Sequence, residues 1–235
     1  MESSIETVVT GDGEFDLHVW LPERVPAPAI LLIQEIFGVG PYIRKVAEDL
    51  AGLGYIVGAP DLFWRLRRNW AAAHDQEGLA RSLELAGRFD FERGARDSVA
   101  ALGRMHDLLP TTVAGGVVGF CLGGSLAYDV AARTPDADAV VSFYGSWVPD
   151  NLQLMNKINC PIQFHFGGND PYIPRDKVAL VEQAVAAHPK AEIHVQESAG
   201  HAFHNFDAPM FHDPEPAALA WRLTTDFLAR HLPVG

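Results

Sequence analysis

Residues Gly119-Phe120-Cys121-Leu122-Gly123 constrain this chain more than any others. A β-type run, Thr112-Val113-Ala114-Gly115-Gly116-Val117-Val118, precedes them. A helix-like run, Gly124-Ser125-Leu126-Ala127-Tyr128-Asp129-Val130-Ala131-Ala132, follows. The pattern is the nucleophile elbow G-x-S-x-G with cysteine in place of serine. A strand that turns this sharply into a helix strains its central residue and needs small neighbours. The central side chain then stands clear above a sheet. It sits beside a helix N-terminus, where unpaired N–H groups and the dipole favour negative charge.

An elbow of this kind needs a parallel sheet, and the rest of the chain supplies one. Residues 5–22 read as a β-hairpin turning at Gly11-Asp12-Gly13. Ala29-Ile30-Leu31-Leu32-Ile33 is a continuous apolar run, the mark of a buried strand. Ile43, Val46, Ala47 and Leu50 fall on one face of a helix that stops near Gly54. Tyr55–Ala59 is the next strand, closed by Pro60. Helices are expected near 75–87 and around Ala95, Val99, Leu102 and His106. Strand–helix pairs then follow at 113–119 with 122–133, at 138–144 with a short helix, and at 161–166 with 175–187. Ala191–Val195 is the last strand, and a final helix carries Leu219, Leu223 and Phe227 on one face. This alternation predicts an α/β fold, a mostly parallel sheet covered on both sides. No linker or internal repeat interrupts residues 1–235, so one domain is expected. Residues 60–90 are the least regular and are the candidate lid or pocket wall.

Bulk properties exclude several functions. The formal net charge of -12 argues against a nucleic-acid partner. No apolar run reaches the roughly 18–20 residues that span a bilayer. The start, Met1-Glu2-Ser3-Ser4-Ile5-Glu6, lacks the features of a signal peptide, which points to the cytoplasm. The two cysteines, Cys121 and Cys160, rule out a disulfide framework. They also flank different ends of their strands, so they are not expected to pair. His165, His194, His201, His204 and His212 show no metal-binding spacing, so neither a metal nor a cofactor is expected. A monomer is the simplest state.

A nucleophilic cysteine needs a base and a group to orient that base. Sites in such sheets form beyond the C-terminal ends of strands. The loop after Phe164-His165-Phe166 contains Asp170, and the loop after Val195 contains His201. The chain order Cys121, Asp170, His201 is the nucleophile–acid–histidine order of α/β-hydrolases. His201 would shuttle the proton, and Asp170 would fix its tautomer. The N–H groups of Leu122 and Ile36 are the candidate oxyanion hole. Glu35 lies in the loop after the Ala29–Ile33 strand, at the edge Cys121 also leaves, so this carboxylate, which needs a partner if buried, is expected to meet the thiol. Phe37, Trp64, Tyr144 and the Arg65-Arg67-Arg68 patch are further candidates for the pocket or an ordinary surface.

These segments resemble the dienelactone hydrolase (carboxymethylenebutenolidase) family. The shared pieces are Gln34-Glu35-Ile36-Phe37-Gly38, Ala59-Pro60-Asp61-Leu62-Phe63, Gly119-Phe120-Cys121-Leu122-Gly123-Gly124, Phe143-Tyr144-Gly145, Gly168-Asn169-Asp170 and Ala199-Gly200-His201-Ala202-Phe203. The resemblance implies an α/β-hydrolase fold, a Cys121-Asp170-His201 triad and a small lactone or ester substrate. It further implies that Glu35 accepts a hydrogen bond from a neutral thiol at rest and takes its proton once substrate binds. Family members that cleave dienelactone grip its carboxylate with two arginines. Asn205 stands at one of those positions, and Arg81 stands two residues out of register with the other. The chemistry is therefore expected to persist with an altered substrate. A noncatalytic ligand-binding protein and an acyltransferase are the alternative readings.

Overall fold

The computed structural model describes residues 2–235; Met1, the first residue of the leader reading, lies outside them. Eight strands form one sheet in the order β1-β2-β4-β3-β5-β6-β7-β8. The hairpin β1 (Glu2–Thr10) and β2 (Gly13–Leu21) runs antiparallel, and β2 pairs antiparallel with β4 (Ile56–Pro60). From β4 onward the pairing is parallel, through β3 (Ala27–Ile33), β5 (Thr111–Phe120), β6 (Ala139–Phe143), β7 (Ile162–Gly167) and β8 (Ala191–Gln196). Every residue of β3 and β4 is buried, as expected of parallel strands covered on both faces.

Among the described residues, α1 (Pro41–Gly52), α3 (Phe91–Leu108), α4 (Leu122–Arg133), α5 (Arg175–Ala186) and α6 (Pro214–His231) pack on this sheet, and α2 (Gln76–Ala86) joins a smaller cluster with Phe37, Phe63 and Trp70. In α1 the residues singled out from spacing, Ile43, Val46, Ala47 and Leu50, are all buried. Burial of each larger side chain contributes roughly 1.5–3 kcal/mol. Pro41 opens α1 where its missing N–H costs nothing, and Asp75 and Asp90 cap α2 and α3 through Gly78 N and Arg93 N.

Two expectations shift. The short helix expected after β6 is a pair of 3-10 turns, Val148–Asp150 and Leu152–Lys157. The buried stripe of α6 is Ala217, Ala220, Thr224, Phe227 and Leu228, with Leu219 and Leu223 on its flank. Small residues let this helix lie close against the sheet. There the Thr224 hydroxyl reaches His165 Nε2 at 3.1 Å and Gln163 Oε1 at 3.3 Å. Apolar periodicity favoured the leucines because it gives no weight to Thr or Ala.

The strand order reverses between β3 and β5. Their carboxyl ends diverge into loops there, and such a switch point is where open parallel sheets bind ligands. No helix is long and apolar enough to cross a membrane among the described residues.

Candidate active site

Cys121 follows β5 directly and caps α4 with φ 55° and ψ −112°. Positive φ is rare for a residue with a Cβ and is tolerated where the surroundings hold it. Here Cys121 N donates to Phe143 O at 3.0 Å, and Cys121 O accepts from Ser125 N at 3.1 Å. Tyr144 (φ 37°) and Ala202 (φ 54°) carry the same signature. All three sit in loops at the same edge of the sheet, one of them next to His201. Strain at that edge is invisible to residue patterns.

The loops bring the three chemistry-bearing residues together as their order implied. His201 Nε2 lies 3.1 Å from Cys121 Sγ, and its Nδ1 lies 2.7 Å from Asp170 Oδ2. The other oxygen of Asp170 accepts the N–H groups of Tyr172 at 2.8 Å and Ile173 at 3.2 Å, which fixes the carboxylate. Tyr144 and Tyr172 place their rings 5.2 Å and 5.0 Å from the imidazole of His201. Burial alone would pull His201 down. The charge on Cys121 and its hydrogen bonds to Asp170 and Cys121 outweigh burial and push it up to about 10.

The loop after β3 supplies the opposite wall. Glu35 O accepts from Gly38 N at 3.2 Å, so the trans peptide aims the Ile36 N–H the other way. Trp70 Nε1 holds Ile36 O at 3.2 Å. Gly38 has φ 86°, and a Cβ there would meet Trp70 O at 1.8 Å, so only glycine allows this turn. Among the described residues, neither Ile36 N–H nor Leu122 N–H is taken up by another group.

Glu35 is 3% exposed, and burial, its largest influence, raises its pKa against the pull of His74 and Asn205. Its Oε1 is 2.9 Å from His74 Nε2, and its Oε2 accepts from Asn205 Nδ2 at 3.3 Å. Phe37 lies against the His74 ring at 4.2 Å between centroids. This departs from the expectation that Glu35 meets the thiol: the carboxylate is engaged elsewhere, and Cys121 faces His201. Sequence reading missed His74 because it sits in the irregular stretch, carries no periodicity, and finds its partner only when that stretch folds over the β3 loop.

Other candidates have other partners. Trp64 stacks on Phe15 at 5.8 Å and donates to Asp97 at 3.0 Å, on the hairpin side of the sheet. Arg65 bonds Asp12 and Asp97, Arg68 holds Glu14 O, and Arg67 lies over Trp70. Arg81 is exposed and paired with Glu77 on its own helix. The Tyr144 hydroxyl is buried and has no partner among the described residues. Cys160 lines a groove of about 420 Å³ with Arg133, Lys157 and Lys190, at the strands' other end. Burial pushes its thiol up to about 11, which keeps it neutral.

A family model of dienelactone hydrolases matches residues 15–232. The chain belongs to the dienelactone hydrolase family. It is thus a member of a family of hydrolases. It is 33% identical over 228 residues to a carboxymethylenebutenolidase of a Pseudomonas species, covering 96% of this chain and 94% of that one. It is 34% identical over 220 residues to the carboxymethylenebutenolidase of Pseudomonas putida, covering 93% and 92%. The crystal structure of a dienelactone hydrolase from Anabaena variabilis aligns with a TM-score of 0.73 at 19% identity, covering 98% of both chains, a likeness of fold.

Below the elbow of this family member lies His204, 5% exposed, with Nδ1 2.8 Å from the Tyr42 hydroxyl and its ring stacked on Phe120 at 5.4 Å. Burial, aided by His212, pulls His204 down to about 3. The unfolded chain, with an ordinary histidine near ~6.5, binds a proton first as pH falls. Stability is therefore lost from about pH 6.5 down to about pH 3. At pH 4.5 the loss from this one group is on the order of 3 kcal/mol. Thermal melts at pH 7 and 4.5 should show a smaller acid-induced drop for His204→Phe than for the parent. Equal drops would remove His204 as a cause.

Proposed function

We propose that this chain hydrolyses small lactones or esters, with Cys121 as nucleophile, His201 as base and Asp170 as the group that orients His201. The observation that carries this reading is the continuous chain Sγ–Nε2 at 3.1 Å and Nδ1–Oδ2 at 2.7 Å, standing at the switch point of the sheet. With His201 holding the thiol proton, Sγ bonds to the carbonyl carbon. The oxyanion that forms is met by the N–H groups of Ile36 and Leu122. The C–O bond to the leaving group then breaks, and its oxygen receives the proton from His201. The product is a thioester and a freed alcohol or enol. Water repeats the sequence, releases the carboxylic acid and restores the thiol. An enol lactone suits a thiol because its leaving group is a stabilised enolate.

The pocket favours an uncharged acyl group. Asn205 offers an uncharged amide where a guanidinium fork would grip a carboxylate, and one of its N–H groups goes to Glu35. Arg81 points into solvent with Glu77. Phe37, which packs on His74, and Tyr144, whose ring lies 5.2 Å from His201, are the residues placed to meet the acyl group. A hydrolysis screen tests this directly. Neutral lactones and aryl esters are expected to exceed the carboxylate-bearing dienelactone by about tenfold or more in kcat/KM, the worth of roughly one charge-assisted hydrogen bond. A preference for the carboxylate-bearing lactone would overturn the substrate assignment. A panel with no burst and no turnover would overturn the hydrolase reading. Product partition in the presence of an added alcohol or thiol separates hydrolysis from acyl transfer.

A further inference from the structure

Glu35 and Cys121 occupy equivalent places on neighbouring strands. Ile33 pairs with Gly119 as the last register pair of β3 and β5, and each residue lies two positions beyond it. The backbones stay close past that point, since a Cβ on Gly123 would lie 2.2 Å from Ile33 O and 2.6 Å from Gln34 O. A buried carboxylate beside a thiol competes with the imidazole for its hydrogen bond and its proton. In this structure its two hydrogen bonds go elsewhere, one oxygen to His74 and the other to Asn205.

His74 provides the stronger of the two restraints. Its contact with Glu35 is 2.9 Å, and the side chains are 5% and 4% exposed. The position of His74 is built into the fold. The next residue, Asp75, caps α2 by accepting from Gly78 N at 2.8 Å. Gly78 in turn lies so close to Ala73 that a Cβ would meet its carbonyl oxygen at 1.8 Å. Phe37 covers one face of the imidazole, and Tyr42 stands edge-on to it at 6.4 Å. The groups around Glu35 are thus His74 and Asn205 as partners, with His201 and Tyr144 within electrostatic range.

We propose that His74 is a positioning residue that tethers Glu35 away from Cys121, leaving Cys121 and His201 paired before any substrate arrives. The proposal rests on the reading of Cys121 as the nucleophile. It means that this chain is armed constitutively, so a substrate needs no carboxylate to trigger it. That agrees with an uncharged acyl group, which offers no charge to displace Glu35.

Alkylation of Cys121 by iodoacetamide in the absence of substrate reads this state. Sγ bonds to the methylene carbon, iodide leaves, and the thiol proton stays on His201. Peptide mass spectrometry separates Cys121 from Cys160. In His74→Ala the freed Glu35 turns to the thiol, and alkylation at pH 7 should slow by about tenfold, as expected for one hydrogen bond to a charged group. The double variant His74→Ala/Glu35→Gln removes the competitor and should recover to within about threefold of the parent rate. His74→Gln keeps a donor for Glu35 and should also stay within about threefold. Parent-like alkylation of His74→Ala, a double variant as slow as the single one, or a slow His74→Gln would each overturn the tether. A merely structural role for His74 predicts no rescue by removing Glu35. Parent enzyme that alkylates as described yet hydrolyses no ester would sink the hydrolase reading and leave the tether standing.

Discussion

Cys121→Ala is expected to lower kcat/KM for an activated aryl ester by roughly 10⁴- to 10⁶-fold, the range seen when a member of a nucleophile–base unit is removed. The variant should stay folded, because Sγ is only half-buried and its partner, His201, keeps Asp170. The His201 titration should move as well. The charge on Cys121 is the largest influence that raises it, so its midpoint should fall from about 10 once the sulfur is gone. Imidazole NMR across a pH series follows this without any substrate. Stability offers a second check. Alanine keeps the Cβ that makes φ 55° costly, whereas glycine does not. Cys121→Gly should therefore be more stable than Cys121→Ala by about 1 kcal/mol, with both inactive. Residual turnover in Cys121→Ala within about tenfold of the parent would remove Cys121 from the reaction.

The residues that could be found in advance share one property: their position follows from topology. Once the chain reads as strands alternating with helices, the loops after β5, β7 and β8 must share one edge, so Cys121, Asp170 and His201 converge wherever the helices lie. Glu35 was legible for the same reason, as part of the loop that follows β3. Its partner was not. His74 lies between β4 and α2, where no repeat of apolar residues fixes the path. Its contact depends on Gly38 and Trp70 crossing closely enough to fold that stretch back over the β3 loop. Trp64 illustrates the converse case, where pocket and ordinary surface were both open. An aromatic beside three arginines resembles a ligand platform, yet the ring packs on Phe15 and the arginines serve Asp12, Asp97 and Glu14. The unpartnered hydroxyl and strained backbone of Tyr144 also follow from how three loops meet, which no local pattern encodes.

Gly123→Ala should be strongly damaging although it replaces a single hydrogen atom. The elbow was expected to need small neighbours, and the structure gives the reason at each one. A Cβ on Gly119 would lie 2.0 Å from Gly123 O, and one on Gly124 would lie 2.2 Å from Phe143 O. At Gly123 the obstacles are the carbonyl oxygens of Ile33 and Gln34, so relief requires α4 and β3 to separate. These are backbone atoms held by the sheet, and no side-chain rotation makes room. The expected cost is about 3 kcal/mol or more, which for a chain of this size lowers the thermal midpoint by roughly 6–12 °C. Turnover should fall with it, because the displaced segment carries Ile36 and the elbow carries Leu122, the two N–H groups proposed to meet the oxyanion. Gly103→Ala supplies the control. Gly103 lies within α3 with nothing inside 4 Å of a new Cβ, so alanine there should stabilise by about 0.5–1 kcal/mol through helix propensity. The same chemical change should thus move the midpoint in opposite directions at two helical sites. A Gly123→Ala midpoint no lower than that of Gly103→Ala would show that the elbow yields where its backbone contacts say it cannot.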